Sequence, residues 1–277
     1  PAPYWVSYVD MVSLAEGLPV IVKCGIDSDF KMTPAQLESA ITSKTRAIIF
    51  SSPSNPTGNL YSKDELKSLA SIIAKHPNII VISDEIYEHI NFVGKHESIA
   101  QFTEIKDRVV VVNGVSKGYA MTGWRIGYIG APVWIAKAVT KLQGQFTSGA
   151  CTIAQKAAEA ALNAGAEQCM EMTAIFKNRR DKVLNFMKDI PGLKTNTPEG
   201  AFYVFPEVSY FFGKSYENYI IKNSSDLALF LLEKGHVATV AGDAFGSPEC
   251  LRFSYATSEE LMQEALIRTK NTLNLLK

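Results

Sequence analysis

Val109 to Pro132 reads VVVVNGVSKGYAMTGWRIGYIGAP, and this stretch decides the fold. The β-branched run Val109 to Val112 has the pattern of a buried strand. It breaks at Asn113-Gly114, a turn pair. Ser116 and Lys117 follow at once, then a Gly-rich segment with Arg125, then a second apolar run from Ile126 to Ile129. A lysine just beyond a buried strand can be held near an apolar interior. Burial disfavours its ammonium form, which makes the amine usable as a nucleophile or proton carrier. Taken alone, Lys117 reads first as a solvated loop lysine.

The neighbours of Lys117 carry more information. SKGYAMTGWRIGY resembles the lysine motif of the pyridoxal-phosphate aminotransferases of fold type I, class I, in the aspartate and aromatic branch. In that family the lysine is joined to the cofactor as a Schiff base. The arginine eight residues on, here Arg125, grips the cofactor phosphate. A phosphate dianion is matched by a guanidinium fork and by hydroxyl donors, and Arg125 and Ser116 supply both. The family usually has another hydroxyl three residues before the lysine, where this chain has Gly114.

Composition bounds the rest. The chain has 277 residues, enough for a large core and one or two domains. Charge is balanced, with 28 basic and 28 acidic residues and no basic block, so nothing points to a nucleic-acid or membrane partner. No apolar run reaches the ~18 residues that a transmembrane helix needs. Cys24, Cys151, Cys169 and Cys250 are scattered without a CxxC pair, and read as reduced thiols of a cytoplasmic protein. His76, His89 and His96 have no metal-ligand spacing, and no metal site or chemistry is assigned to them. The opening PAPYWVSY has no signal-peptide pattern and reads like the middle of a protein. Measured against the family, the expected preceding portion would hold an N-terminal helix, a Gly-rich phosphate loop and further site contacts. Weak cofactor retention is the expectation for these residues alone.

Along the chain, a helix is expected from about Tyr8 to Glu16 and a short strand at residues 19–22. Thr33-Pro34 reads as an N-cap with Pro at the first helical position, opening a helix through Ile41. Arg46 to Ser51 reads as a buried strand. Ser52-Pro53-Ser54-Asn55-Pro56-Thr57-Gly58 then fixes a tight loop at a strand end, where ligands of open α/β sheets sit. By residue type it is also an ordinary turn. SNPTG resembles the family loop whose asparagine meets the pyridine 3′-oxygen and the substrate carboxylate, which assigns Asn55. Asp64 to Lys75 is helical, with Leu66, Leu69, Ile72 and Ile73 on one face.

The strand Asn78 to Ser83 runs into Asp84-Glu85-Ile86-Tyr87. A carboxylate at the end of an apolar strand is costly unless paired. Asp84 could cap a helix and Tyr87 could be a core ring. DEIY, however, resembles the family motif in which the aspartate pairs with the pyridinium nitrogen and the tyrosine hydroxyl bonds the 3′-oxygen. In that pairing the ring stays cationic and is the better electron sink. PYW resembles the stretch whose tryptophan, Trp5 here, packs beside the cofactor ring and the substrate. LRFSYATS resembles the segment whose arginine, Arg252, forks the substrate α-carboxylate. A structural salt bridge is the other reading of Arg252.

Further helices are expected at residues 132–141, 152–165 and 171–186. Gln143 to Ala150 reads as a loop, and Arg179, Arg180 and Lys182 as a solvated basic face. Beyond Ala166 come strands near 193–195 and 200–205, and a polar loop over 214–223. A helix at 225–234 is capped by Gly235, a strand follows at 237–240, and the last helix covers 258–276. The repeated strand-helix-strand order implies a largely parallel sheet. The resemblance implies a three-layer α/β/α sandwich plus a smaller α+β C-terminal domain, with residues 1–165 as the cofactor domain and 166–277 as the small domain. It also implies pyridoxal 5′-phosphate, an L-amino acid such as aspartate, a 2-oxo acid such as 2-oxoglutarate, and a homodimer. The alternatives are a carbon–sulfur lyase of the same fold, or the cofactor-binding effector domain of a transcription regulator. Against the regulator, no winged-helix or basic segment is visible.

Overall fold

A computed structural model describes residues 1–277. The elements in chain order are α1 (Ser7–Leu14), α2 (Pro34–Ala40), β1 (Ala47–Ser51), α3 (Lys63–Ala74), β2 (Ile80–Asp84), β3 (Val109–Gly114) and β4 (Gly127–Gly130). Then follow α4 (Val133–Phe146), α5 (Thr152–Ala164), α6 (Glu167–Met187), β5 (Tyr203–Val204), β6 (Ser215–Tyr216) and β7 (Tyr219–Ile220). The chain ends with α7 (Ser224–Gly235), β8 (Val240–Ala241), β9 (Leu251–Ser254) and α8 (Glu259–Leu273). The residues form two compact units. One comprises Thr33–Pro53 and Leu60–Ala174, and the other Pro1–Met32, Ser54–Asn59 and Ile175–Lys277.

The first unit is built on a four-stranded sheet in the order β1-β2-β3-β4. β1, β2 and β3 run parallel, and β4 closes the edge antiparallel to β3. Parallel strands covered by helices read as unbroken apolar runs, and AIIF, IVI and VVVV are such runs. The connection between β1 and β2 is α3, which buries Leu66, Leu69, Ala70 and Ile73 along one stripe. Both α2 and α3 start on full capping boxes: Thr33 with Gln36, and Ser62 with Glu65. Each satisfies two of the orphan amides at its helix start. Thr33-Pro34 is therefore the helix start expected from the sequence.

The second unit holds a three-stranded antiparallel sheet, β5-β9-β8, and the hairpin β6-β7. One apolar cluster joins α7 and α8 through Leu227, Phe230, Leu231 and Leu273, with Phe211 and Ile221 beside them. A smaller cluster gathers Phe30, Phe205, Phe245 and Cys250.

Several local expectations are corrected. Residues 19–22 form no strand: Val20 and Ile21 are exposed, and only the bridge Ala2–Lys23 lies nearby. Asn113-Gly114 is no turn, because both residues continue β3 and pair with Tyr128 and Gly127. An added Cβ at Gly114 would lie 3.1 Å from the Gly127 Cα, so close strand pairing selects glycine there. Helix α4 runs on to Phe146, through part of the expected loop. The strand over 200–205 is reduced to Tyr203–Val204, and the expected 214–223 loop contains the β6-β7 hairpin. The left-handed cap of α7 is His236 rather than Gly235. Gly235 has a packing reason instead: a Cβ there would fall 2.7 Å from Thr272 Oγ1. Arg180 is buried rather than solvated, donating to the Pro198 carbonyl at 2.7 Å and to Asp181 Oδ1 at 2.6 Å. Burial is affordable because both contacts are charge-assisted.

Candidate active site

Lys117 follows the carboxyl end of β3 by three residues, in the turn that leads away from the sheet. It is half-buried, and its Nζ lies 5.9 Å from the centroid of the Tyr87 ring. Gly118 permits that approach of the chain, since a Cβ there would sit 2.8 Å from the His89 ring. Ser116 is half-buried beside Lys117, and its carbonyl accepts from Thr122 Oγ1 at 3.1 Å. Arg125 ends the short 3-10 turn Thr122–Trp124 with φ +52. Its Nη1 donates to the Thr122 carbonyl at 2.7 Å. The guanidinium is exposed and has no carboxylate partner, so it can still meet an anion.

Asp84 closes β2, directly across from Val112 in the ladder with β3. Its Oδ1 accepts from the Ile86 N–H at 3.2 Å, which shapes the turn leaving the strand. Tyr87, one turn further, is buried. The carboxyl ends of adjoining parallel strands thus carry an acid and a phenol on one and an amine on the other. Ligands of α/β sheets bind at such strand ends. An open groove of about 340 Å³ is lined by Gly118 to Met121 and by Ala161, Ala164, Gln168 and Met172. None of the expected site residues lines it.

In the other unit, Asn55 lies in the Ser54–Asn59 segment, which closes on itself through Ser54 N–H to the Asn59 carbonyl (3.0 Å) and Gly58 N–H to the Ser54 carbonyl (2.9 Å). The Gly58 carbonyl in turn accepts from the amides of Glu199 and Gly200. Arg252, on β9, donates from Nη1 to Asn55 Oδ1 at 2.9 Å. Its Cζ stands 4.7 Å from the Tyr203 ring centroid and 5.0 Å from that of Phe245. Its Nε is buried without a hydrogen-bond partner, and no carboxylate pairs with it. The salt-bridge reading of Arg252 is thereby removed. A guanidinium flanked by two rings, with an unused donor, is suited to a carboxylate fork. Trp5 is half-buried and packs edge-on against Tyr8 at 5.5 Å.

The donor set fits pyridoxal phosphate. Asp84 offers a carboxylate for a ring nitrogen, Tyr87 a phenol for the ring oxygen, and Arg125 and Ser116 a cation and a hydroxyl for the phosphate. Arg125, exposed and without a carboxylate partner, leaves its guanidinium available to a phosphate.

One group escaped the reading of the sequence. Glu85 is 3% exposed. Its carboxylate accepts from Ser83 Oγ (2.9 Å), Ser98 Oγ (2.6 Å) and His96 Nε2 (2.8 Å). The only sequence signal was an acid following an apolar strand. The spacing to residues 96 and 98 has no motif.

Comparison with known proteins places the chain among relatives. The family described as Aminotransferase class I and II matches residues 1–268. A bifunctional aspartate aminotransferase and glutamate/aspartate-prephenate aminotransferase of Petunia hybrida is 47% identical over all of this chain and 59% of its own length. A probable aspartate/prephenate aminotransferase of Rickettsia bellii is 47% identical over all of this chain and 70% of its own. Among solved structures, the aspartate aminotransferase of Rhizobium meliloti is 43% identical, with a TM-score of 0.96 over all of this chain and 70% of that one. The chain thus spans less than two thirds of the petunia relative's length. The neighbours have the α/β architecture of fold type I, and members of the family use pyridoxal phosphate. By the extent of these matches, this chain belongs to the aminotransferase class I and II family.

Proposed function

We propose that the protein is a pyridoxal-phosphate-dependent transaminase that moves an amino group between an L-amino acid, with aspartate first, and a 2-oxo acid such as 2-oxoglutarate. The observation that carries the proposal is the acid, phenol and amine at the carboxyl ends of two adjoining parallel strands. The printed activities of the petunia and Rickettsia relatives support aspartate as donor and add prephenate as an acceptor to test. The expected division into a cofactor domain at 1–165 and a small domain at 166–277 is kept within the proposal. The four-stranded sheet before residue 131 and the antiparallel sheet beyond residue 202 support it, while residues 1–32 and 54–59 group by contact with the later part.

When bound, the cofactor supplies an electron sink for the bonds of the substrate α-carbon. Lys117 is the proposed Schiff-base lysine, and its Nζ would take the proton from the substrate α-carbon and deliver it to the C4′ carbon of the cofactor. Asp84 holds the ring nitrogen protonated, and Tyr87 and Asn55 hold the ring oxygen. Arg125 and Ser116 hold the phosphate. Arg252 and Asn55 fix the substrate carboxylate, and Trp5 packs on the substrate. A homodimer in the cytoplasm belongs to the same proposal. The exposed Trp134 and Phe146 of α4 support self-association, and the free thiols at all four cysteines fit a reducing compartment. No helix is long and apolar enough to cross a membrane.

The test is transamination from aspartate to 2-oxoglutarate and to prephenate, with Lys117→Ala as control. The wild type should form oxaloacetate and show the cofactor's visible-edge absorbance, and K117A should lose both. Persistence of that absorbance in K117A would remove Lys117 from its role. Release of sulfide or pyruvate from a sulfur amino acid, without transamination, would instead identify a carbon–sulfur lyase.

A further inference from the structure

We propose that Glu85, His96 and Ser98 form a buried tether whose task is to position Asp84 against the cofactor ring nitrogen. The inference rests on the cofactor reading of Asp84 given above.

Neighbouring residues of an extended chain project to opposite sides, so Asp84 and Glu85 share one peptide and serve two faces. That peptide is held on the backbone by two ladder contacts. The Asp84 carbonyl accepts from the Ser52 N–H at 3.1 Å, and the Glu85 N–H donates to the Val112 carbonyl at 2.9 Å. Glu85 adds a side-chain anchor on its own face. Oε1 takes two hydroxyl donors, from Ser83 and Ser98, and Oε2 takes His96 Nε2. Ser98 is itself fixed, because its Oγ accepts from the Ala100 N–H at 3.2 Å at the start of the 3-10 turn Ile99–Gln101. Rotation of the 84–85 peptide would swing the Asp84 carboxylate, and it would also pull Glu85 off three donors.

The imidazole is matched to this one contact. His96 Nδ1 is buried and has no partner, so the proton belongs on Nε2, facing the carboxylate. A buried carboxylate with fewer donors is strongly disfavoured, so loss of one donor strains the whole turn. Glu88 brings a third ligating group within 4.8 Å of those of Glu85 and His96, a set that could hold a cation. The three donors already satisfy Glu85 without one, and the connection to Asp84 is covalent and immediate.

The experiment loads the protein with pyridoxal phosphate labelled with nitrogen-15 in the ring, and reads the ring-nitrogen shift by NMR together with cofactor affinity. The wild type should give the protonated shift, and Asp84→Asn should lose it. His96→Leu should move the shift towards the unprotonated value and weaken cofactor binding about ten-fold, the scale of a lost buried hydrogen bond. His96→Gln, whose amide can donate to Glu85, should restore both. A folded H96L protein with the wild-type shift and affinity would overturn the tether. If H96L does not fold, Ser98→Ala is read by the same two criteria. An unchanged shift in D84N would instead overturn the cofactor role of Asp84, and the tether with it.

Discussion

Arg252 Nη1 donates to Asn55 Oδ1 at 2.9 Å, across 197 residues of sequence. The contact ties the guanidinium to the asparagine side-chain oxygen. The Tyr203 and Phe245 rings restrain the guanidinium further. Arg252 Nε stays buried and unpartnered. Such a donor is costly in isolation, and an incoming carboxylate would satisfy it.

Arg252→Lys is therefore expected to raise the KM for the amino-acid substrate by roughly 10–150-fold, the equivalent of one charged hydrogen bond. A lysine keeps the charge but loses the fork and the stacking. Steady-state kinetics with aspartate, alongside a thermal melt, check this. An unchanged KM would take Arg252 out of substrate binding.

The Asn55 loop depends on Gly58, whose φ is +66. An added Cβ would meet Pro198 Cβ at 2.5 Å and the Gly200 carbonyl at 2.7 Å. Gly58→Ala should cost about 1–3 kcal/mol from the left-handed backbone, with the clash in addition. Urea unfolding measures the loss, and cofactor-free protein suffices.

The thiols should differ sharply in reactivity. Burial pushes the Cys24, Cys169 and Cys250 thiols up. Cys151 is exposed at the start of α5, where the amides of Ala154 and Ile153 favour its thiolate. Iodoacetamide at mildly alkaline pH should label Cys151 first, as peptide mass spectrometry would record. First labelling at any other cysteine would contradict the burial described for it.

Asp181 makes a small acid-sensitive contribution. Burial opposes its ionisation, but the hydrogen bond and charge of Arg180, then those of Lys177, outweigh it and hold the carboxyl below its usual range. A depressed carboxyl stabilises the fold above its unfolded value, about 3.9. The gain is lost as pH falls through the lower folded value. The side chain is 44% exposed, so the effect should stay below about 1 kcal/mol. The difference in melting temperature between wild type and Asp181→Asn should be largest near neutrality and shrink in acid. A constant difference would refute the linkage.

Local chemistry made much of the chain legible in order. Unbroken apolar runs marked β1, β2 and β3, because strands covered on both faces need no polar alternation. Thr33 announced a helix through a cap that acts within four residues. The candidate site residues were named from contiguous motifs: Lys117, Ser116 and Arg125 from one segment, Asp84 and Tyr87 from another.

Non-local packing decided the rest. Asn113-Gly114 has turn chemistry, yet pairing with β4 keeps it extended. Arg180 looked like a solvated cation until the Pro198 carbonyl, distant in sequence, received it. His96 had no motif, and it acquired a partner only when Glu85 was buried beside it. What the sequence by itself determined was therefore the three parallel strands, the Thr33 cap and the motif residues, since these depend on neighbours along the chain. Only the tertiary structure decided which buried charges are satisfied, because their partners lie far away in sequence and meet when the core closes.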